Sequence, residues 1–204
     1  MDENNPVFCS LDGVLFDKAM TTLIWFPQGK KGIYSIPEGI IKTSSGAFYN
    51  CKLTGISLPQ SFIFPCIGLN RVTTIEVSEQ NPSLCSIDGV LFTKKKDTLC
   101  IYSKNSDKTG YVVPDETSEI TFHAFYECIH LVNITLPENL KFIFDYAFVG
   151  CKGIKAITLP NSLQYIGEHA FLDCSNLETV TLSRKTRIGH KAFEGFTGQF
   201  VYRD

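Results

Sequence analysis

Ile157-Thr158-Leu159-Pro160-Asn161-Ser162-Leu163-Gln164-Tyr165-Ile166-Gly167-Glu168-His169-Ala170-Phe171-Leu172-Asp173-Cys174-Ser175-Asn176-Leu177 holds almost one full period of a pattern that recurs along most of the chain. Its Ala170-Phe171 pair returns at 47–48, 124–125, 147–148 and 192–193, so the last four copies stand 23, 23 and 22 residues apart. The neighbours keep step. A cysteine follows the phenylalanine by three residues at Cys51, Cys128, Cys151 and Cys174, and Phe196 fills that slot in the last copy. An apolar-x-Leu-Pro element comes next, as Ile56-Ser57-Leu58-Pro59, Ile134-Thr135-Leu136-Pro137 and Ile157-Thr158-Leu159-Pro160, and Val180-Thr181-Leu182-Ser183 closes the series.

A period of this length, with apolar residues in an L-x-x-L-x-L-like run, reads as a leucine-rich repeat solenoid in which each 22–23-residue repeat adds one parallel strand. Leu177-Glu178-Thr179-Val180-Thr181-Leu182 shows the spacing most plainly. Side chains alternate across a strand, so Leu177, Val180 and Leu182 are expected to point into the core and Thr179 and Thr181 out of it. The proline after the strand cannot donate to a ladder and ends pairing there. The Ala-Phe pair packs the opposite wall of the coil, with alanine letting the turn approach closely and phenylalanine filling the interior.

A longer duplication overlies the short one. Asn5-Pro6 recurs as Asn81-Pro82, Ser10-Leu11-Asp12-Gly13-Val14-Leu15-Phe16 as Ser86-Ile87-Asp88-Gly89-Val90-Leu91-Phe92, and Leu23 as Leu99, all at an offset of 76. After one inserted residue, Ile36-Pro37 and Val113-Pro114 match at 77. Asp-Gly between alternating apolar residues is a strong hairpin signal, so each copy reads as an antiparallel β-meander inserted in the solenoid. Its second turn falls near Ala19-Met20-Thr21 or Lys95-Lys96-Asp97, which puts Lys94-Lys95-Lys96 at a solvated loop tip. The whole reads as a single solenoid over 1–204, with inserts at about 8–27 and 84–103 and regular repeats at about 33–59 and 111–200. Residues 60–77 lack the Ala-Phe pair and form a degenerate, pinched rung.

The string at 157–177 resembles the BspA-type leucine-rich repeat, whose pattern is roughly I-x-L-P-x-S-L-x-x-I-G-x-x-A-F-x-x-C-x-x-L. The resemblance covers about residues 33–59 and 111–200, and the Asp-Gly-Val-Leu-Phe meanders resemble inserts found in such proteins. It implies a non-enzymatic binding role like that of cell-surface adhesins from oral or gut bacteria and from trichomonad or amoebic parasites, which bind host or matrix proteins. It implies no catalytic residue.

Composition agrees with a globular fold. At 204 residues, 44% hydrophobic and 20% charged, the chain is neither disordered, collagenous nor a coiled coil. Nineteen basic against 21 acidic residues supply none of the positive excess that nucleic-acid or anionic-membrane partners need. No apolar run approaches the roughly 18 residues of a membrane span. The start at Met1-Asp2-Glu3-Asn4-Asn5-Pro6 has no signal-peptide pattern, so sequence points to the cytoplasm and the resemblance to the cell surface.

Chemistry finds little support. Ser10-Leu11-Asp12-Gly13-Val14-Leu15-Phe16 comes close to the D-x-D-G-V-L-F start of haloacid-dehalogenase-type phosphatases, but Ser10 and Ser86 stand where the nucleophilic carboxylate is required. The eight cysteines contain no Cys-x-x-Cys, and four share one inward column, where parallel side chains do not converge for a disulfide. They read as reduced core thiols. Cys66 and Cys100 have no repeat partner. His123 and His169 lie two periods apart, about 10 Å in a stack of rungs, too far for one zinc ion; with Tyr146 and Lys191 they form a column on the turn before Ala-Phe. No cofactor motif is present. Asn133-Ile134-Thr135 is a glycosylation sequon on an expected strand.

The strand face is the place to look for recognition. In register, Ser57, Thr135, Thr158 and Thr181 form one outward column, Asn133 and Thr179 lie in the next, and Lys155 and Glu178 flank it. This shallow, nearly neutral surface is either a protein-binding face of the kind repeat proteins use or a solvated sheet rich in strand-favouring threonine. Trp25 is expected to be buried in the first meander, and would be a binding hot spot if exposed. Terminal rungs need caps, so the end at Phe193, Phe196, Phe200 and Val201 is expected either to close with an edge strand at 199–203 or to be covered by a second copy or a partner. The alternative to an adhesin is an intracellular structural component of a larger assembly.

Overall fold

The computed structural model describes residues 5–63, 69 and 72–203. The first meander comprises β1 (Phe8–Leu11), β2 (Val14–Asp17) and β3 (Thr22–Trp25). It leads into β4 (Lys31–Ser35), β5 (Lys42–Thr43), β6 (Lys52–Leu58) and β7 (Thr74–Val77). The second meander, β8 (Leu84–Ile87), β9 (Val90–Thr93) and β10 (Thr98–Ile101), is followed by β11 (Gly110–Val112), β12 (Glu119–Ile120), β13 (Asn133–Thr135) and β14 (Phe142–Ile143). The chain ends with β15 (Ala156–Thr158), β16 (Tyr165–Ile166), β17 (Thr179–Ser183), β18 (Arg187–Ile188) and β19 (Gln199–Arg203).

These strands form a β-solenoid with two walls. One wall carries the L-x-L strands, all parallel, in three groups: β4-β6-β7, β11-β13 and β15-β17-β19. The other carries the two-residue strands that precede each Ala-Phe turn, paired in parallel as β10-β12-β14-β16-β18 and as β3-β5. The meanders belong to this second wall. The last strand of each, β3 or β10, is a rung of the wall, and the other two extend it as antiparallel neighbours. Both Asp-Gly turns have the doubly positive φ of a type I′ hairpin, with Asp12 at 51° and Gly13 at 78°, Asp88 at 51° and Gly89 at 80°.

The repeat columns pack as their chemistry demands. Phe125, Phe148, Phe171 and Phe193 stack face over face with centroids 4.7, 5.0 and 4.9 Å apart and planes within 5° of parallel. Tyr102 continues the stack at 5.1 Å. The alanine before each phenylalanine serves the backbone: the N–H groups of Phe125, Phe148 and Phe171 each donate to the alanine carbonyl one rung on, at 2.7 Å. Leu177, Val180 and Leu182 are buried, and Thr179 and Thr181 sit half-exposed on the outer face.

The core falls into two clusters that meet at the second meander. Val90, Phe92 and Leu99 face the downstream cluster, whereas Leu84, Leu91 and Ile101 face the upstream one. A strand buried on both faces reads as a continuous apolar run, which Val90-Leu91-Phe92 is. Within residues 60–77, Thr74–Val77 forms β7 and pairs with β6 from Gly55↔Thr74 to Leu58↔Val77. Residues 64–68, 70 and 71, and with them Cys66, lie outside the described residues.

Trp25 corrects one expectation. It is 46% exposed, because no rung among the described residues is stacked on that face of β3, unlike its counterpart Ile101 at 6%. The C-terminal edge strand forms as β19, all five residues of which are exposed.

Candidate protein-binding face

Parallel registry places the outward side chains of the first wall in two columns. Gly110 lies beside Asn133 and Val112 beside Thr135; Ala156, Thr179 and Gln199 align, as do Thr158, Thr181 and Val201. Asn133, Thr135, Ala156 and Thr158 are exposed, and Lys155 and Glu178 stand exposed at the bends leading into β15 and β17. Those bends are fixed by the carbonyl of Lys155, which accepts from the N–H of Glu178 at 2.7 Å and of Thr179 at 3.3 Å. Gln199 N–H donates to Glu178 in the same way at 2.8 Å.

The structure brings Asn133, Thr135, Lys155, Thr158, Glu178, Thr179 and Thr181 onto one face but leaves Ser57 out of it. Ser57 lies on β6, between Ser35 and Glu76, in the separate β4-β6-β7 group. The second meander separates the two groups in the chain, so the identical repeat position does not share a neighbour. Between β13 and β15 the strands touch without joining one hydrogen-bonded sheet. An open groove of about 380 Å³ runs along that seam, lined by Asn133, Thr135, Glu138, Ala156, Thr158 and Pro160. The repeat period alone carried no sign of the seam.

Sequence reasoning missed Val112 and Ile33, which are 69% and 68% exposed on the same wall. Stepping one residue back from Val113, the counterpart of Leu136, would have found Val112. The opposite wall has its own depression of about 460 Å³ between Lys104, Tyr126, Glu127, His130, Gly150 and Lys152. Lys104 and Glu127 are ion-paired across it, and its mixed charges select no ligand class.

The histidine column is a stack on that wall. The rings of His123 and Tyr146 lie 5.3 Å apart and those of Tyr146 and His169 5.2 Å apart, both stacked. His123, Tyr146, His169 and Lys191 all adopt φ between 51° and 57°, so one left-handed residue turns each rung into its Ala-Phe pair. His169 Nδ1 lies 3.2 Å from Glu194 Oε2 and Nε2 3.4 Å from Glu168 Oε1. No cluster of three or more metal-ligating side chains occurs among the described residues. Ser86, in the phosphatase-like string, accepts a hydrogen bond from Val77 N–H at 3.2 Å. No helix is long and apolar enough to cross a membrane among the described residues.

Comparison with known proteins bears on the whole arrangement. The family model described as BspA type Leucine rich repeat region matches six copies, over residues 32–93 and 100–201. Three solved structures share the fold. A leucine-rich repeat protein from Eubacterium ventriosum is 18% identical with a TM-score of 0.62, covering 78% of this chain and 54% of its own. The pneumococcal vaccine antigen PcpA is 22% identical with a TM-score of 0.58, covering 90% and 57%. A leucine rich cell surface protein from Faecalibacterium prausnitzii is 21% identical with a TM-score of 0.54, covering 87% and 61%. The chain thus spans a little over half the length of these structures. No curated protein matches the sequence. With the family model matching well over half of its length, and its columns packed as the repeat requires, the chain belongs to the BspA-type leucine-rich repeat family.

Proposed function

We propose that this protein is a non-enzymatic recognition module whose downstream strand face, β11 to β19, binds an extended segment of another protein at the cell surface, in the manner of an adhesin. The groove between β13 and β15 carries the reading. It is lined by uncharged side chains, the apolar Ile134, Leu136, Ala156 and Pro160 beside the polar Asn133, Thr135 and Thr158, with Glu138 alone charged. Rigid, shallow and neutral surfaces lose little entropy on binding and leave no buried charge to desolvate. Asn133, Thr135, Thr158, Thr179 and Thr181 offer donors and acceptors along the groove and beside it, Ser57 would contribute only from the separate upstream group, and Lys155 and Glu178 mark the rim. The solved cell-surface protein of Faecalibacterium prausnitzii supports the cell-surface part of this reading.

The test is binding of the purified protein to an immobilised panel of extracellular matrix proteins, compared with Ala156→Arg in the groove and Asp173→Arg on the opposite wall. Binding lost in A156R and kept in D173R supports the face. Binding kept in A156R moves the site elsewhere, and no binding to any matrix protein removes the adhesin reading. A second reading, an intracellular structural component, is favoured by the free thiols of Cys9, Cys85, Cys100, Cys128, Cys151 and Cys174. It predicts loss of fold on oxidation.

A further inference from the structure

The two meanders are equivalent in sequence and opposite in environment. In the second, the outer face is covered by the last rung of the module before it: Leu84, Leu91 and Ile101 are 3%, 0% and 6% exposed against a cluster containing Val72 and Ile75. Their counterparts in the first meander are Phe8, Leu15 and Trp25, of which Phe8 is 36% and Trp25 46% exposed. The same sheet face is a core wall in one place and bare in the other.

The polar fittings repeat as well. Asn81 accepts from the N–H groups of Ser83 and Leu84, and its amide nitrogen donates to the carbonyls of Pro59 and Phe62 at 2.8 and 2.7 Å, hooking the meander to the preceding rung. Asn5 makes the same local turn, accepting from Val7 and Phe8 N–H at 2.9 Å, but its amide nitrogen meets no carbonyl among the described residues. Ser86 takes the edge-strand N–H of Val77, whereas its counterpart Ser10 is exposed.

We propose that the bare face of the first meander is a docking site for the C-terminal rung of a second copy of this chain, so that copies stack head to tail. The occupant is argued from the joint between the two modules. That joint consists of a meander face set against an edge strand, β7, and β19, another edge strand of the same wall, is exposed along all five of its residues. Register equates Ile75 with Phe200 and Val77 with Tyr202, which are 37% and 45% exposed. The turn that accepts Asn81, closed by Phe62 N–H to Pro59 O at 3.2 Å, recurs as Thr186 N–H to Ser183 O at 3.1 Å. In the stack, Asn5 donates to the carbonyls of Ser183 and Thr186, Ser10 accepts from Tyr202 N–H, and Trp25 is buried as Ile101 is. A heterologous contact of this kind leaves an unused face at each end and does not stop at two copies unless the stack closes into a ring.

Trp25 is the sole tryptophan, so its emission reports the joint directly. Light scattering and fluorescence across a concentration series are expected to show a mass that rises past two copies while Trp25 emission shifts to the blue. Asn5→Asp keeps the local acceptor and removes the amide donor, and is expected to weaken association about tenfold for two lost hydrogen bonds. Phe8→Glu blocks one end and Tyr202→Glu the other; each alone is expected to be monomeric, and their mixture to form a one-to-one dimer. A wild-type chain that stays monomeric at every concentration, with Trp25 emission of an exposed indole, overturns the proposal without any variant. So does association that Y202E leaves intact, which would mean meander-to-meander pairing or another partner for that face.

Discussion

Cys151 Sγ lies 2.9 Å from the carbonyl oxygen of Phe125, one rung upstream, and donates its S–H to it. Cys174 does the same to Phe148 at 3.1 Å, and Cys128 to Tyr102 at the longer distance of 3.9 Å. The column therefore holds cysteine for a reason beyond volume. The Phe125 and Phe148 carbonyls each accept one backbone N–H, from Cys128 at 3.3 Å and Cys151 at 3.2 Å, and the thiol is a small, largely apolar side chain that supplies a second donor.

Cys151→Ala removes one of two donors to the Phe125 carbonyl, which keeps the Cys128 N–H at 3.3 Å, and should lower stability by about 1 kcal/mol, whereas Cys151→Ser keeps both donors and should cost less. Cys128→Ala should cost less than Cys151→Ala, because its hydrogen bond is longer. Urea unfolding of the four proteins checks the order. Equal losses for the alanine and serine variants at 151 would mean that the thiol only fills space.

Alkylation of the native protein should separate the thiols. Burial pushes the Cys100 thiol up to about 12 and raises those of Cys151 and Cys174 further from the thiolate. The thiolate is the reactive species, so these three should stay unmodified by iodoacetamide near pH 8 while the half-buried Cys9 is alkylated. Peptide mass mapping after a timed quench reads the order directly.

Gly167 follows the strand residue Ile166 and abuts the rung before it. A Cβ there would collide with the backbone of Phe144 and Asp145, atoms that cannot swing aside. Gly167→Ala should therefore force the rungs apart and cost about 2 kcal/mol or more. Gly13→Ala, where the only neighbour is Pro27 at 3.8 Å, meets no such clash and pays only for a φ of 78°. The fall in Tm from wild type should accordingly be larger for G167A than for G13A in thermal unfolding, and the reverse order would count against the close approach.

His123 gives the fold a pH dependence. Burial among Phe122, Tyr126 and Tyr146 lowers its pKa below the ordinary 6.5, because the charged imidazolium loses solvation there. The unfolded chain then binds the proton more tightly than the folded one, so stability is full above pH 6.5 and falls as pH drops through the folded value. Denaturant midpoints between pH 7.5 and 5 should fall less steeply in His123→Gln than in the wild type.

Much of the fold was legible because each rung writes its own structure locally. Ala-Phe at a fixed period, the Cys column and the L-x-L strands each state a position within one repeat, and stacking preserves that position. The Asp-Gly pairs likewise fix their hairpins by local φ preference, with Asp12 and Asp88 both at 51°. The left-handed residue before Ala-Phe was not legible, because Tyr146 and Lys191 occupy the position as well as His123 and His169, and neither tyrosine nor lysine favours that region. The candidate face was legible as columns and not as a surface. Thr135 and Thr158 occupy the same repeat position, yet a seam with a groove separates them.

By itself the sequence determined the repeat, its inward columns, the two hairpins and the membership of the family, since all of these depend on neighbours within about one period. Only the tertiary structure decided which copy of a repeated surface is covered. Trp25 and Ile101 occupy matching positions at an offset of 76 and differ in exposure because the second meander has a rung stacked on it and, among the described residues, the first does not. Burial in a solenoid is a property of the next unit along the stack, and no residue encodes its neighbour's presence.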